Sequence, residues 1–440
     1  MKTGVSKNDH HQPRDSRRSN RERHVGYPEA SATITIYEAD HVPGMDAGAA
    51  RRIASDAEAI EIAREIAARV AAGAADRDRD RMLPYDEVAA FSASGLWGIT
   101  VPREWGGAGV SYATLGEVLA TVATADPNVA QIPKNHYLVV DILALNGSNA
   151  QKRFFFGEVL SGRRIGHAAS ERGTKDVLDI RTRLKNTSSG LVLEGQKFYA
   201  TGSLFADWIA VSAIDDDDAF VQVLVPCDAP GLTVVDDWTG FGQRTTASGT
   251  VTLDHTPVEP GRVMSLQDAY VLPTLAGPAS QFQHACIDLG LSRAAIRETI
   301  DFVNQKARPW VDSGCKYASE DPYTISAVGD LQVRLFAAEA GIEKAARVLD
   351  GSPAELTEDD VAAVSVAVAS AKVLTTELAI CAANKLVELG GAGATAGIYN
   401  FDRYWRNART HTVHDPVRWK YNLIGDYYLN AVNPRRHNYV

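Results

Sequence analysis

The sequence predicts an α+β chain in three consecutive parts: helical, then β-rich, then a four-helix bundle. Three patterns predict it. Between Ile53 and Val70 the residues Ile53, Ala57, Ile60, Ala63, Ala67 and Val70 return at the period of one helix face. From about Arg164 the period shortens to strand-like alternation in short runs. From Ile325 the step of threes and fours returns over two long stretches. The expected boundaries are a basic arm at 1–45, a helical domain at 46–164, a β-domain at 165–268 and the bundle at 269–440.

The arm is polar and basic (Lys2, Lys7, Arg14, Arg17, Arg18, Arg21, Arg23) with almost nothing to bury, so disorder is expected. After the charged connection Asp76–Arg81, Pro84 opens a helix that Gly95 closes. A glycine-rich loop follows at Glu104–Gly109, then a helix from Tyr112 to Thr124 that ends at Asp126-Pro127. Strand-like runs lie at 165–170, 182–184, 191–193, 197–201, 208–214, 220–225, 232–235 and 250–253. Asp215–Asp218 reads as a solvated hairpin tip rather than a cation site. A sandwich or a barrel fits these strands. Beyond them, 277–306 is helix-compatible, Ile325–Leu349 and Val361–Cys381 are amphipathic helices, and Gly390 suits a helix end.

A formal net charge of −10 argues against general nucleic-acid affinity. Cys227, Cys286, Cys315 and Cys381 are widely spaced and form no CxxC pair, which suits a reducing cytoplasm. No metal-ligand spacing, no bilayer-spanning apolar run and no signal-peptide stretch is read in the sequence.

The densest chemistry is at Phe401–Pro416, which holds Arg403, Arg406, Arg409, His411, His414 and Asp415. Two imidazoles three residues apart beside a carboxylate make an acid–base or anion-handling centre. Asp415 before Pro416 also fits a helix N-cap, with Val417, Tyr421, Ile424 and Tyr428 continuing the helix.

The order of parts, Gly98–Gly109, Leu193–Thr201, Gly390-Gly391 and Arg406–Arg409 together resemble the acyl-CoA dehydrogenase superfamily from about residue 50 onward. The resemblance implies a helical N-terminal domain, a central β-barrel, a C-terminal four-helix bundle, a homotetramer and a flavin between barrel and bundle. Where the dehydrogenases carry a Tyr-Glu-Gly-Thr segment with the catalytic base, this chain has His414-Asp415-Pro416-Val417. Its Arg-Asn-x-Arg-Thr-His-x-x-His-Asp-Pro run is similar instead to the flavin-dependent monooxygenase branch of dibenzothiophene desulfurisation and dimethyl sulfone use. Gln305–Trp310, Glu320–Ile325 and Asp236–Trp238 match that branch as well.

That branch implies a two-component enzyme. A separate reductase supplies FMNH2, which meets O2 to give a C4a-(hydro)peroxyflavin that oxygenates a small sulfone, sulfide or thiophene. By motif match, His167, Ala168, Ala169, Ser170, Glu171, Arg172, Lys197, Phe198, Tyr199, Ala200 and Thr201 lie along the flavin. Asn135, Arg308, Ala392, Gly393 and His414 match further FMN contacts. Thr201 stands where the family places a hydroxyl near the reactive flavin edge, which implies a hydrogen-bond donor to a peroxide; a plain strand threonine is the alternative. His414, then His411 and Asp415, are the expected stabilisers or proton donors. Gln131, His136 and Trp238 are expected pocket walls. Two other readings stay open. One is an FAD-dependent acyl-CoA dehydrogenase with Asp415 as base; the other is a non-catalytic flavin-binding paralogue.

Overall fold

The computed structural model describes residues 50–439, so the arm expected over 1–45 lies outside them. The first part is helical throughout: α1 (Asp56–Ala71), α2 (Ala74–Asp80), α3 (Tyr85–Ser94), α4 (Tyr112–Ala125), α5 (Pro127–Asn146) and α6 (Asn149–Leu160). Ser55 caps α1 by accepting from the Glu58 amide. The predicted α1 period holds, but its phase is shifted: Ala59, Ile62, Ala63, Ile66 and Val70 face the core while Ala57 is exposed. The helix expected to end at Asp126-Pro127 does so, and a second helix starts there. Asp126 ends α4 and caps α5 by accepting from the Asn128 amide, with Pro127 as the first helical residue. α5 is buried along most of its length and carries Gln131, Lys134, Asn135 and His136.

The strands β1 (Ile165–Ala168), β2 (Arg183–Thr187), β3 (Gly190–Lys197), β4 (Trp208–Ile214), β5 (Phe220–Pro226), β6 (Leu232–Val235), β7 (Thr250–Val258) and β8 (Val263–Ser265) form one mixed sheet. Its order is β6-β7-β3-β2-β4-β5-β8, with β1 alongside β4 in parallel. β4 is buried on both faces because two cores meet it. Ile209, Val211 and Ala213 join the β-domain interior; Trp208 and Ala210 join an apolar cluster with Val139, Val140, Leu143, Phe155 and Phe156 of α5 and α6. The run expected at 191–193 continues to Lys197 as one strand, β3, bent by a bulge between Leu193 and Gly195, whereas the run expected at 197–201 is strand only at Lys197. Gly195 has φ +152°, and a Cβ there would stand 2.4 Å from Thr182 Oγ1.

A single turn, α7 (Asp268–Val271), leads into α8 (Ala276–Gln305), α9 (Pro322–Asp350) and α10 (Glu358–Gly390); α11 (Asp402–His411) and α12 (Val417–Asn430) follow. α8, α10, α9 and α12 make the bundle. α10 corrects the reading that no apolar run could span a bilayer: its composition and length suffice, but 67% of that stretch is buried within the fold. The apolar stripe of α9 divides. Leu331, Ala338, Ile342, Ala345 and Leu349 are buried, while Ile325 is 57% exposed and Phe336 75%.

Candidate functional site

One wall of the site comes from the β-domain. Lys197 ends β3 with its ammonium fully buried, donating to Glu171 Oε1 (2.7 Å) and the Ala169 carbonyl (3.1 Å). Burial pushes Lys197 down to about 8, while the Glu171 carboxylate opposes that shift. Glu171 also accepts from the Thr182 amide and hydroxyl. These two side chains therefore serve each other and pin the 169–171 backbone. Beyond Lys197 the chain leaves the sheet, with Tyr199 at φ +56° and its ring half exposed. The Arg172 guanidinium lies 4.2 Å over the Phe198 ring, and Tyr199 meets Trp238 edge to face at 6.1 Å.

Thr201, Ser248 and Thr246 form a buried hydroxyl chain with both Oγ···Oγ distances at 2.7 Å, and Thr246 donates to the Gln243 carbonyl at 2.9 Å. A single set of proton positions satisfies all three contacts: Thr201 gives to Ser248, Ser248 to Thr246, Thr246 to Gln243. Thr201 is left as a lone-pair acceptor, the reverse of the donor polarity expected from the sequence.

The opposite wall is a chamber of buried polar side chains from the helices. His411, at the end of α11, has Nδ1 2.5 Å from Asp288 Oδ1 and Nε2 3.1 Å from both Gln131 Oε1 and His284 Nδ1. The imidazolium donates to Asp288 and Gln131. The neutral ring, its proton held on Nδ1 by Asp288, accepts at Nε2 from His284. The ring is hydrogen-bonded in either form. Asp288 also accepts from Lys372 Nζ (2.8 Å) and Thr376 Oγ1 (3.0 Å). Against the burial penalty, Lys372 and His411 hold the Asp288 carboxyl down to about 2.

His414 follows one turn later. Its Nδ1 lies 3.2 Å from Asp415 Oδ1, its ring stacks at 4.1 Å on His284, and 34% of its side chain is open to solvent. Burial lowers its imidazole below the ordinary value, with the Asp415 contact opposing. Asp415 does not cap α12, which begins after Pro416 without a side-chain cap. Its carboxylate turns inward, 3.3 Å from Lys420 Nζ. Burial alone would raise Asp415, but His414, Lys372 and Lys420 hold it well below the usual carboxylate range.

Tyr439 closes this side, with its ring 5.7 Å from that of His414 and its hydroxyl bonded to Ser170. Lys420 Nζ donates to the Tyr439 carbonyl at 2.6 Å, and Gln281 donates to Asn438 O at 2.9 Å.

The sequence-predicted residues thus divide. His411, His414, Asp415 and Gln131 meet in the chamber. His167 is buried, and burial first, then Lys134 and Lys197, pushes its imidazole down to about 3. Ala168 and Ala200 are core residues of the β-domain, and Ala169 and Ser170 continue from β1 toward the Tyr439 contact. Asn135 accepts from Lys134 at 3.2 Å. Trp238 donates to the Gln243 carbonyl at 2.7 Å. His136 is no polar pocket wall: it is fully buried, donating from Nε2 to Trp97 O (3.0 Å) and accepting at Nδ1 from the Ile165 amide (3.1 Å).

Arg308, Ala392 and Gly393 are exposed and stand elsewhere. They follow the C-terminal ends of α8 and α10, which meet where Phe302 packs on Gly390. At 1.5 Å per residue that end of α8 is roughly 30 Å from His284.

Sequence reading missed Lys134, Ser280, His284, Asp288, Lys372 and Lys420. The available signal was polar residues inside apolar helices: Lys372 midway along α10, and Gln281, Gln283, His284 and Asp288 on a fully buried stretch of α8.

Comparison with known proteins agrees with this architecture. Family models for the acyl-CoA dehydrogenase N-terminal, middle and C-terminal domains match residues 56–163, 167–256 and 282–419. Dibenzothiophene monooxygenase of Rhodococcus erythropolis is 32% identical over 400 residues, covering 87% of this chain and 96% of its own. The crystal structure of FMN-bound TdsC from Paenibacillus sp. A11-2 superposes with TM-score 0.83 at 31% identity, over 87% of this chain and 100% of that one. Methanesulfinate monooxygenase MsuC from Pseudomonas fluorescens superposes with TM-score 0.80 at 27% identity, over 87% and 99%. The chain belongs to the acyl-CoA dehydrogenase family, in the branch that holds the flavin-dependent monooxygenases.

Proposed function

We propose that this chain is an FMNH2-using monooxygenase that places one oxygen atom of O2 on a small organosulfur compound, with the other leaving as water. Bound reduced FMN supplies the two electrons for that reaction, and a separate flavin reductase supplies the reduced FMN. The residues present fit the cofactor. The 197–201 turn offers exposed aromatic edges and a guanidinium beside them. Thr201 offers a lone pair suited to the N–H of a reduced flavin.

His414 is the part-exposed end of the histidine set and the group best placed to give or hold a proton for bound oxygen species. Asp288 keeps His411 oriented, and His284 stacks between His411 and His414.

The observation that carries this reading against a dehydrogenase is the state of Asp415. Paired with Lys420 and His414 and held far below the usual range, it is too weak a base to take a substrate α-proton.

The same proposal makes the working unit a homotetramer in a reducing cytoplasm. Arg308, Ala392 and Gly393 stand too far along the bundle to reach the flavin of their own chain, and suit that of a neighbouring copy. The exposed apolar face of α9 at Tyr323, Ile325, Val333 and Phe336 suits contact between copies. The four cysteines are free.

The test mixes the chain with anaerobically reduced FMN and then with oxygenated buffer containing sulfones, sulfinates or thiophenes. Slowed flavin reoxidation, low hydrogen peroxide release and an oxygenated product are expected. Reoxidation at the rate of free FMNH2 without product, together with copurifying FAD that an acyl-CoA bleaches, would overturn the reading. Flavin binding with no turnover on any substrate would favour the non-catalytic paralogue.

A further inference from the structure

The chamber holds three buried lysines, Lys134, Lys372 and Lys420, but only two buried carboxylates, Asp288 and Asp415. Two ion pairs use up both acids: Lys372 with Asp288 at 2.8 Å and Lys420 with Asp415 at 3.3 Å. Lys134 is left over. Its ammonium, 1% exposed, donates to Ser280 Oγ at 2.7 Å and Asn135 Oδ1 at 3.2 Å, both neutral. Its third donor has no protein acceptor among the described residues.

Ser280 lies one helical turn before His284 on α8, so the lysine head and the His284 ring share one face of that helix. His284 Nε2 is itself buried and has no hydrogen-bond partner among the described residues. A buried cation without a direct ion-pair partner is costly, and burial pushes Lys134 down to about 7, with the more distant Asp415 charge opposing and Lys372 adding to the fall. An incoming anion would supply the missing charge and accept from Lys134, and from His284 Nε2 in the state where His411 is the imidazolium and the His284 proton sits on Nε2.

We infer that Lys134, with His284 beside it, binds the acidic group of the substrate, which makes the preferred substrate class a small organic sulfinate rather than a neutral sulfone or thiophene. This rests on the monooxygenase reading and deepens it. A sulfinate carries two oxygens on the sulfur to be oxidised and one negative charge, which matches one ammonium plus the His284 Nε2–H that is present when His411 is the imidazolium and His284 Nδ1 faces it as acceptor. Oxygenation then balances as sulfinate plus O2 plus reduced FMN giving sulfonate, oxidised FMN and water. The sulfur keeps its anionic oxygens throughout, so Lys134 holds the substrate without being consumed.

The test is isothermal titration of the full chain, with and without oxidised FMN, using methanesulfinate and the similar-sized neutral dimethyl sulfone. It compares wild type, Lys134→Met and Lys134→Arg. Wild type is expected to bind the sulfinate at least about tenfold more tightly than the sulfone. Loss of one charged hydrogen-bond donor in Lys134→Met should weaken sulfinate binding about 10- to 100-fold. FMN and sulfone affinity should stay within about twofold, and Lys134→Arg should keep much of the preference.

Equal binding of both probes by wild type overturns the inference, as does a preference that survives in Lys134→Met. A variant that loses FMN instead of sulfinate overturns it too, and assigns the cation to the flavin. If Lys134→Met fails to fold, the wild-type ratio and Lys134→Arg still decide. A wild-type chain that binds no FMN refutes the monooxygenase reading, and the flavin-free titration separates that failure from this one.

Discussion

The two walls of the site are built in opposite ways. The β-side wall is contiguous: residues 167–172 and 197–201 come from two short stretches, and their work is done largely by backbone shape. Lys197 and Glu171 are spent on each other, and Tyr199 sits in a strained conformation. The helical wall is dispersed. Gln131, Lys134, His284, Asp288, Lys372, His411, Asp415 and Lys420 come from α5, α8, α10, α11, α12 and the turn before α12, and every one is buried. The first wall supplies a docking edge that tolerates solvent. The second supplies charge in a place that solvent cannot screen, where each removal leaves a partner stranded. The difference says which wall fails harder when cut.

The largest effect is therefore expected at Asp288. Asp288→Asn strands the Lys372 ammonium and frees His411 to turn, and removing one member of a buried pair costs about 3–5 kcal/mol. Urea unfolding should show that loss. Asp288→Leu with Lys372→Met, which removes both charges, should recover much of it, and an unrecovered double variant would deny the pair its role. The pH dependence follows from the depressed carboxyl. Asp288 titrates at about 2 in the fold against an ordinary 3.8, so the folded chain binds that proton more weakly than the unfolded chain. Its contribution is full above about pH 4 and disappears as pH falls toward 2, which acid unfolding of Asp288→Asn beside wild type can read as a flattened slope.

The next effect moves to the part-open end of the chamber. His414→Ala should lower product formation about 100-fold, a common worth of a positioned acid or base. Hydrogen peroxide should rise in proportion while FMN affinity changes little if, as proposed, the other wall docks the flavin. Equal losses in FMN binding and product would put His414 among the docking groups.

A smaller change is expected on the β-side, at Thr201→Val. With its proton committed to Ser248, Thr201 can only accept, so it favours a flavin that carries an N–H and disfavours one that carries a lone pair. Reduced FMN should bind about tenfold more weakly to the variant and oxidised FMN about as before. Equal losses for both redox states would restore the donor reading.

The same contrast explains what was legible in the sequence. Contiguous features could be read: the order of the three parts, the α8 span, β4 and β5, and the motif at 406–416. Phase and capping could not always be read. The α1 face is shifted, because Ala57 and Ile60 fit the period as well as Ala59 and Ile62 do, and only packing on α4 chooses between them. Asp415 has the chemistry of an N-cap, and only the presence of Lys420 and His414 on either side turns it inward. Asp288 and Lys372 are 84 positions apart, so neither announces the other. A lone lysine inside an apolar helix was still a signal, since a charge placed there needs a partner.

His136 offers the sharpest control on the comparison, because it is as buried as the chamber residues but lies outside their network. Its Nε2–H serves the Trp97 carbonyl and its Nδ1 serves the Ile165 amide, so the ring ties the end of α3's following turn to the first strand of the sheet. Burial pushes it down to about 4, so it remains neutral through the physiological range and has no proton to trade. His136→Phe keeps the ring volume and strands two backbone groups, which should cost about 1–3 kcal/mol of stability each before any relaxation. Turnover per folded molecule, peroxide release and FMN affinity should all match wild type below the new melting temperature. Any selective rise in peroxide release would mean that His136 reaches the reacting centre. The divide between structural and chemical histidines would then have to be redrawn.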